Sequence, residues 1–238
     1  MEPAEYALMD AAEDRMWWYR ALHRRLDDAL DGIDGPILDA GCGTGGFMAV
    51  TRHRSFVGLE WAADAARRAA EKSGAPVARG SVNALPFADR SFAAVVSADV
   101  LCHAAVNPSA ALKEFRRVLR PGGRLVVNMP AYAWMLSAHD TRVRNVRRMT
   151  ARETAAMLTD AGFAQAQARY WNGLLLPLMI AQRKILTRGD SASDVAPFPP
   201  WLDAIFRGMT RFERALPFPM PAGGSVLAIA VKPVAEQP

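Results

Sequence analysis

The sequence predicts a doubly wound α/β domain, a mostly parallel sheet with helices on both faces. Three observations carry that expectation. Short apolar runs alternate with amphipathic segments at helical spacing along most of the chain. A glycine-rich turn, Asp39-Ala40-Gly41-Cys42-Gly43-Thr44-Gly45-Gly46, follows directly on the first of those runs. Phe92 to Ala98 is an apolar run of the kind found in strands covered on both faces.

The elements follow in order. Met16 to Leu30 places Trp17, Trp18, Leu22, Leu26 and Leu30 on one helical stripe, closed by Gly32 and Gly35-Pro36. Pro36 to Ala40 is a buried strand entering the glycine turn, and Phe47 to His53 a helix leaving it. A strand over Ser55–Glu60, an alanine-rich helix over Asp64–Ser73 closed by Gly74, and a strand at Pro76–Arg79 come next. After the Phe92–Ala98 strand, Pro108 to Leu119 is helical and stops at Arg120-Pro121-Gly122-Gly123, before a strand over Arg124–Met129. Thr150 and Glu153 form a capping box for a helix ending at Gly162. Ala164–Trp171 is a strand, Gly173–Leu186 an amphipathic helix interrupted by Pro177, and Gly189–Pro200 a polar linker. Trp201–Leu216 is a second amphipathic helix, and Ser225–Val231 the final strand.

The 238 residues are expected to form one domain over 1–238, with an insertion over 174–222 before the last strand. Two cysteines, Cys42 and Cys102, make no disulfide framework, and no His/Cys cluster has metal-ligand spacing. The acidic N-terminus does not read as a signal peptide, and Leu174–Ala181 is too short to span a bilayer, so a cytoplasmic protein is expected. A net charge of +5 and 29 basic residues raise the question of nucleic acid. The arginines are dispersed and not interleaved with aromatic residues, which favours at most an anionic acceptor or a membrane surface.

The glycine turn is the strongest motif. Gly41, Gly43 and Gly46 satisfy G-x-G-x-x-G, which alone also suits a dinucleotide. Asp39 shifts the balance, because a carboxylate there opposes a pyrophosphate and suits a ligand bearing an ammonium and a sulfonium. Glu60, about 20 residues on, ends the next strand where ribose hydroxyls are held.

Ile37-Leu-Asp-Ala-Gly-Cys-Gly-Thr-Gly45, Val57-Gly-Leu-Glu60, Ala84-Leu-Pro-Phe-Ala-Asp-Arg-Ser-Phe92 and Leu119-Arg-Pro-Gly-Gly-Arg-Leu125 stand in the order of a known family. The sequence resembles class I S-adenosylmethionine-dependent methyltransferases, in the branch of ubiquinone-biosynthesis and other small-molecule enzymes, over roughly residues 17–163 and the final strand. The resemblance implies a seven-stranded Rossmann-like sheet and S-adenosylmethionine as cofactor. It implies that Asp39 orients the methionine amino group while Gly41, Cys42 and Gly43 pass beneath the cofactor. Glu60 would hold the ribose, Trp61 would lie beside the adenine, and Ser81, Val82 and Asn83 would meet the adenine edge. Ser97 would lie near the transferred methyl. Relatives often carry aspartate where Ser81 stands, so the adenine amino contact falls to the Val82 backbone. Residues 1–31 would form a helical lid.

For an oxygen or nitrogen acceptor a histidine is the natural base. Of four histidines, His139 and His103 follow strands at the carboxyl edge, and Asp140 beside His139 either orients a base or serves as one. His139 is the first candidate, as base or acceptor-positioning group, and His103 the second. Arg142, Arg144, Arg147 and Arg148 read either as an anchor for a phosphate or carboxylate or as a solvated basic face. The helices of the 174–222 insertion suggest a cover for an apolar, lipid-like acceptor or a contact with a membrane or partner. The expected function is methyl transfer to a small, partly apolar metabolite. Its alternatives are a non-catalytic binding protein on the same fold, a nicotinamide-dependent oxidoreductase and an RNA methyltransferase. Oligomeric state is not legible.

Overall fold

The computed structural model describes residues 3–181 and 198–234. The chain opens with two helices, α1 (Pro3–Ala12) and α2 (Trp17–Ala29). An alternating run follows: β1 (Ile37–Ala40), α3 (Gly46–Val50), β2 (Phe56–Glu60), α4 (Ala63–Ser73), β3 (Val77–Arg79), β4 (Phe92–Ala98), α5 (Pro108–Val118) and β5 (Leu119–Pro130). A 3-10 turn at Ala133–Met135 and α6 (Ala138–Arg142) lead to α7 (Ala151–Asp160) and β6 (Ala164–Trp171). Then come α8 (Leu176–Ala181), α9 (Pro200–Ala215) and β7 (Ser225–Val231).

The strands form one sheet of seven in the order β3-β2-β1-β4-β5-β7-β6. All pairings from β3 to β5 are parallel, while β7 runs antiparallel between β5 and β6. The sheet is therefore mostly parallel, as the sequence predicts. Side-chain alternation divides the core between its faces. Leu38, Val95, Leu125 and Val127 pack with Leu112, Phe115 and Leu158 of α5 and α7. Ile37, Ala94, Val96 and Val126 pack with Leu22, Leu26 and Leu30 of the α2 segment, Met48 of α3 and Ala69 of α4. Strand order reverses between β1 and β4, so a crevice opens at their carboxyl ends.

Differences from the sequence reading have local causes. The third helix stops at Val50, where the Thr51 backbone leaves helical geometry at φ −118°, ψ 35°. The β5 strand begins at Leu119, and Arg120-Pro121-Gly122-Gly123 is an irregularity within it: its register jumps from Phe92↔Leu119 to Ala94↔Arg124. Pro177 does not interrupt a helix but lies in the first turn of α8, where its missing N–H costs nothing. The expected continuation to Leu186 and most of the Gly189–Pro200 linker lie outside the described residues. The capping box at Thr150 forms as expected, with Thr150 Oγ accepting from Glu153 N at 3.2 Å and Glu153 accepting from Thr150 N at 2.7 Å. Among the described residues no helix is long and apolar enough to cross a membrane.

Candidate functional site

The turn after β1 is fastened from below. Gly41 N and Cys42 N both donate to the Leu59 carbonyl, at 2.8 and 3.0 Å. Gly41 has φ +92°, and a Cβ there would run into Val100. Gly45 has φ +86°, and a Cβ there would lie 2.8 Å from the Ala69 backbone. Glycine is thus required both for the turn and for the close approach of α4. Gly43 N donates to Glu60 Oε2 at 3.0 Å, which ties the loop to the end of β2.

Above this loop lies a cavity of about 710 Å³, within the range of small-molecule sites. Its wall includes Asp39, Gly41, Cys42, Gly43, Glu60 and Trp61, together with Ser81, Val82, Asn83 and His103. Asp39 is only 4% exposed, and its carboxylate has no hydrogen-bond partner among the described residues. Burial first, then the nearby Glu60 and Glu13 carboxylates, push its pKa up to about 7. Such a group is stable as an anion only when a cation comes to meet it. Trp61 is 69% exposed at the cavity wall, so it is not packed into the core. Asn83 does more than line the wall: its side chain donates to Ala105 O and accepts from Asn107 N, both at 3.0 Å, holding the loop before α5.

Helix α1 lies across the glycine turn. Tyr6 donates to Glu60 Oε1 at 2.9 Å, beside Ala62 N at 3.0 Å. Glu13 accepts from Thr44 Oγ1 at 2.7 Å and from Lys72 Nζ at 2.6 Å. Lys72 also pairs with Asp10 at 2.5 Å. Met9 sits where a Cβ on Gly43 would be, 2.6 Å from it. Glu5 reaches the same cavity, with Oε2 buried and unpartnered.

The far end of the cavity is built by the segment after β4. Asp99 lines it in a left-handed conformation, φ +54°. Its backbone N donates to Asn128 O at 3.0 Å, and its Oδ1 accepts from Asn128 Nδ2 at 2.9 Å. Burial raises its pKa to about 7, against the hydrogen bond from Asn128 and the charge of Arg148. The wall carries His103 too; burial holds its pKa below the ordinary 6.5, opposed by hydrogen bonds with the Val143 and Arg144 backbone.

Two expected site residues are corrected. Ser97 is fully buried within β4 and absent from the cavity wall, which Ala98 and Asp99 form instead. Asp140 is no free base: both its oxygens accept from Arg148, at 2.8–3.0 Å, and Oδ2 also accepts from Ser137 N and Oγ. It too lies off the wall. His139 stands in α6, with its side chain outside the described residues. The solvated-face reading of the arginine cluster fails at Arg148, which is buried, and at Arg147, which donates to the His103 carbonyl at 2.7 Å. Arg144 lines the cavity.

Residues 38–127, from β1 into β5, match the family model of the methyltransferase domain. That segment is a methyltransferase domain by this match, and the sheet around it has the Rossmann-like fold of such enzymes. It is 35% identical over 188 residues to an uncharacterized 37.1 kDa transposon protein of Streptomyces fradiae, covering 68% of this chain and 53% of that protein. It is 30% identical over 166 residues to a probable S-adenosylmethionine-dependent methyltransferase of Mycolicibacterium smegmatis, covering 67% and 63%. The chain spans about half the length of the curated relatives it matches. Geranyl diphosphate C-methyltransferase of Streptomyces coelicolor, solved with Mg2+, geranyl diphosphate and S-adenosylhomocysteine, shares the fold, with a TM-score of 0.61 and 18% identity over 90% of this chain and 79% of that one.

Sequence reasoning missed Tyr6, Glu13 and Asp99 on the wall of this cavity. Asp99 carried a usable signal, a carboxylate directly after a strand at the carboxyl edge of the sheet. Tyr6 and Glu13 carried none, since only tertiary packing brings α1 over the turn.

Proposed function

We propose that this chain transfers a methyl group from S-adenosylmethionine to a small, partly apolar acceptor. The observation that carries the reading is the buried, unpartnered Asp39 carboxylate beside the glycine turn. Among the described residues five carboxylates line the cavity, Glu5, Glu13, Asp39, Glu60 and Asp99, which suits a ligand with an ammonium and a sulfonium and repels a pyrophosphate. Asp39 would hold the ammonium, Glu60 the ribose hydroxyls, Trp61 the adenine face and residues 81–83 the adenine edge. The cofactor supplies an already activated methyl group. The chain's own residues orient the acceptor and exclude water.

An apolar acceptor is favoured by Trp17, Val143, Met179 and Phe198 on the wall, and Arg144 offers one charge to an anionic part of it. That combination agrees with the small-molecule, ubiquinone-biosynthesis-like branch. We assign His103 and His139 to positioning the acceptor. The described part of the 1–31 segment acts as a lid, latched through Tyr6, Glu13 and Lys72, and α8 and α9 cover the acceptor end. Trp201, Ile205 and Phe212 expose an apolar side of α9 that suits peripheral contact with a membrane.

The test is incubation of purified protein with labelled methyl donor and a fractionated cell extract. Label is expected in small, partly apolar compounds. Label in RNA would favour a nucleic-acid substrate, and no label despite tight cofactor binding would favour a non-catalytic binder.

A further inference from the structure

We propose that Asp99 is the proton acceptor of the reaction, taking the hydrogen of a hydroxyl or amine acceptor as the methyl group arrives. The inference rests on the methyl-transfer reading above. Asp99 follows β4 at the point where strand order reverses, on the cavity wall. Its position is fixed by a relay. Trp171 Nε1 donates to Asn128 Oδ1 at 2.9 Å, which fixes the amide so that Nδ2 donates to Asp99 Oδ1 at 2.9 Å. The Asp99 N–H is held by the Asn128 carbonyl as well. One carboxylate oxygen is therefore engaged, and Oδ2 has no hydrogen-bond partner among the described residues.

Of the other wall carboxylates, Glu5 belongs to α1, the helix that lies across the glycine turn, and the rest are committed elsewhere. Glu60 accepts from Gly43, Ala62 and Tyr6, and Glu13 from Thr44 and Lys72. Asp39 lies at the end of the neighbouring strand, where the cofactor ammonium is expected. Asp99 remains, with an environment that raises its pKa to about 7, near the value at which a general base works best at neutral pH.

In the step, the acceptor lone pair forms a bond to the methyl carbon while the carbon–sulfur bond breaks and its electron pair returns to sulfur. The acceptor proton passes to Asp99 Oδ2, so carboxylate, neutral acceptor and sulfonium become carboxylic acid, methylated product and neutral thioether. The proton then leaves to solvent. The titratable groups around Asp99 are Arg148 and Asp140 from the segment after β5, Cys102 from its own loop and Tyr19 from α2.

The experiment compares wild type, Asp99→Asn and Asp99→Ala for transfer of labelled methyl to the extract, with S-adenosylhomocysteine affinity measured by calorimetry. Asp99→Asn is expected to lose about 100-fold or more in turnover while its affinity stays within about threefold. Added formate is expected to restore part of the Asp99→Ala turnover, which a merely structural role would not allow. At saturating methyl donor, the acidic limb of the wild-type pH–rate profile near 7 should disappear in Asp99→Asn. Turnover of Asp99→Asn close to wild type overturns the proposal. So does failure of formate rescue, or a parallel loss of cofactor affinity. Wild type that binds S-adenosylhomocysteine but transfers no label overturns the methyl-transfer reading itself.

Discussion

Asp39 is a carboxylate whose burial opposes its charge and which no side chain among the described residues answers. With its pKa raised from 3.8 to about 7, the folded protein keeps a proton that the unfolded chain gives up between those values. Its contribution to stability is therefore fully present below about pH 4 and lost as pH rises toward 7. Asp99, raised in the same way, adds to that slope. Thermal melts of Asp39→Asn between pH 4 and 8 should show a shallower decline than wild type. Affinity has the opposite sign, because a cationic ligand selects the ionised carboxylate. S-adenosylhomocysteine should bind more weakly as pH falls below about 7, and Asp39→Asn should cost about 1.5–3 kcal/mol of binding, roughly 10- to 150-fold. Asp39 was legible because its chemistry is local to the motif. Asp140 was misread because the arginine that occupies it, Arg148, lies eight positions on and reaches back from another segment.

Among the elements, the regular ones and the covering helix α9 were legible, and α1 was not. Strands β1, β2, β4, β6 and β7 and helices α2, α4, α5 and α7 announce themselves through apolar period, the glycines after α4 and α7, or the capping box at Thr150. Helix α1 has a weak apolar stripe, and ion pairs and hydrogen bonds to α4, the glycine turn and β2 hold it in place. Lys72 concentrates that attachment, meeting both Asp10 and Glu13. In Lys72→Ala, amide hydrogen exchange across residues 3–12 should accelerate while the sheet stays protected. Unchanged exchange would show that α1 is held by its apolar contacts alone. The Asp140–Arg148 pair, 2–3% exposed in its side chains, makes the opposite kind of prediction. Arg148→Met takes the guanidinium away from a buried carboxylate and should cost about 3–5 kcal/mol in denaturant unfolding.

At the scale of the molecule, alternation of strand and helix made the doubly wound sheet legible, but the direction and place of β7 were not. A period-2 apolar strand is consistent with either neighbour orientation. The long 174–222 segment gives no hairpin signal to choose antiparallel insertion between β5 and β6. That segment also joins the two ends of the chain. Glu213 of α9 accepts from Arg25 of α2 at 3.0 Å and from the backbone N–H groups of Asn172 and Gly173 at 2.6 and 2.7 Å. Helix α9 is thus tied both to α2 and to the turn after β6. The central claim is that the acid-lined cavity over the glycine turn is built for a sulfonium cofactor and not a dinucleotide. Calorimetric titration with S-adenosylmethionine, S-adenosylhomocysteine, NAD and NADP tests it most directly. Saturable binding of the first two, with no heat from the nicotinamide cofactors, is the result predicted here; binding of NAD or NADP with none of S-adenosylmethionine would contradict it.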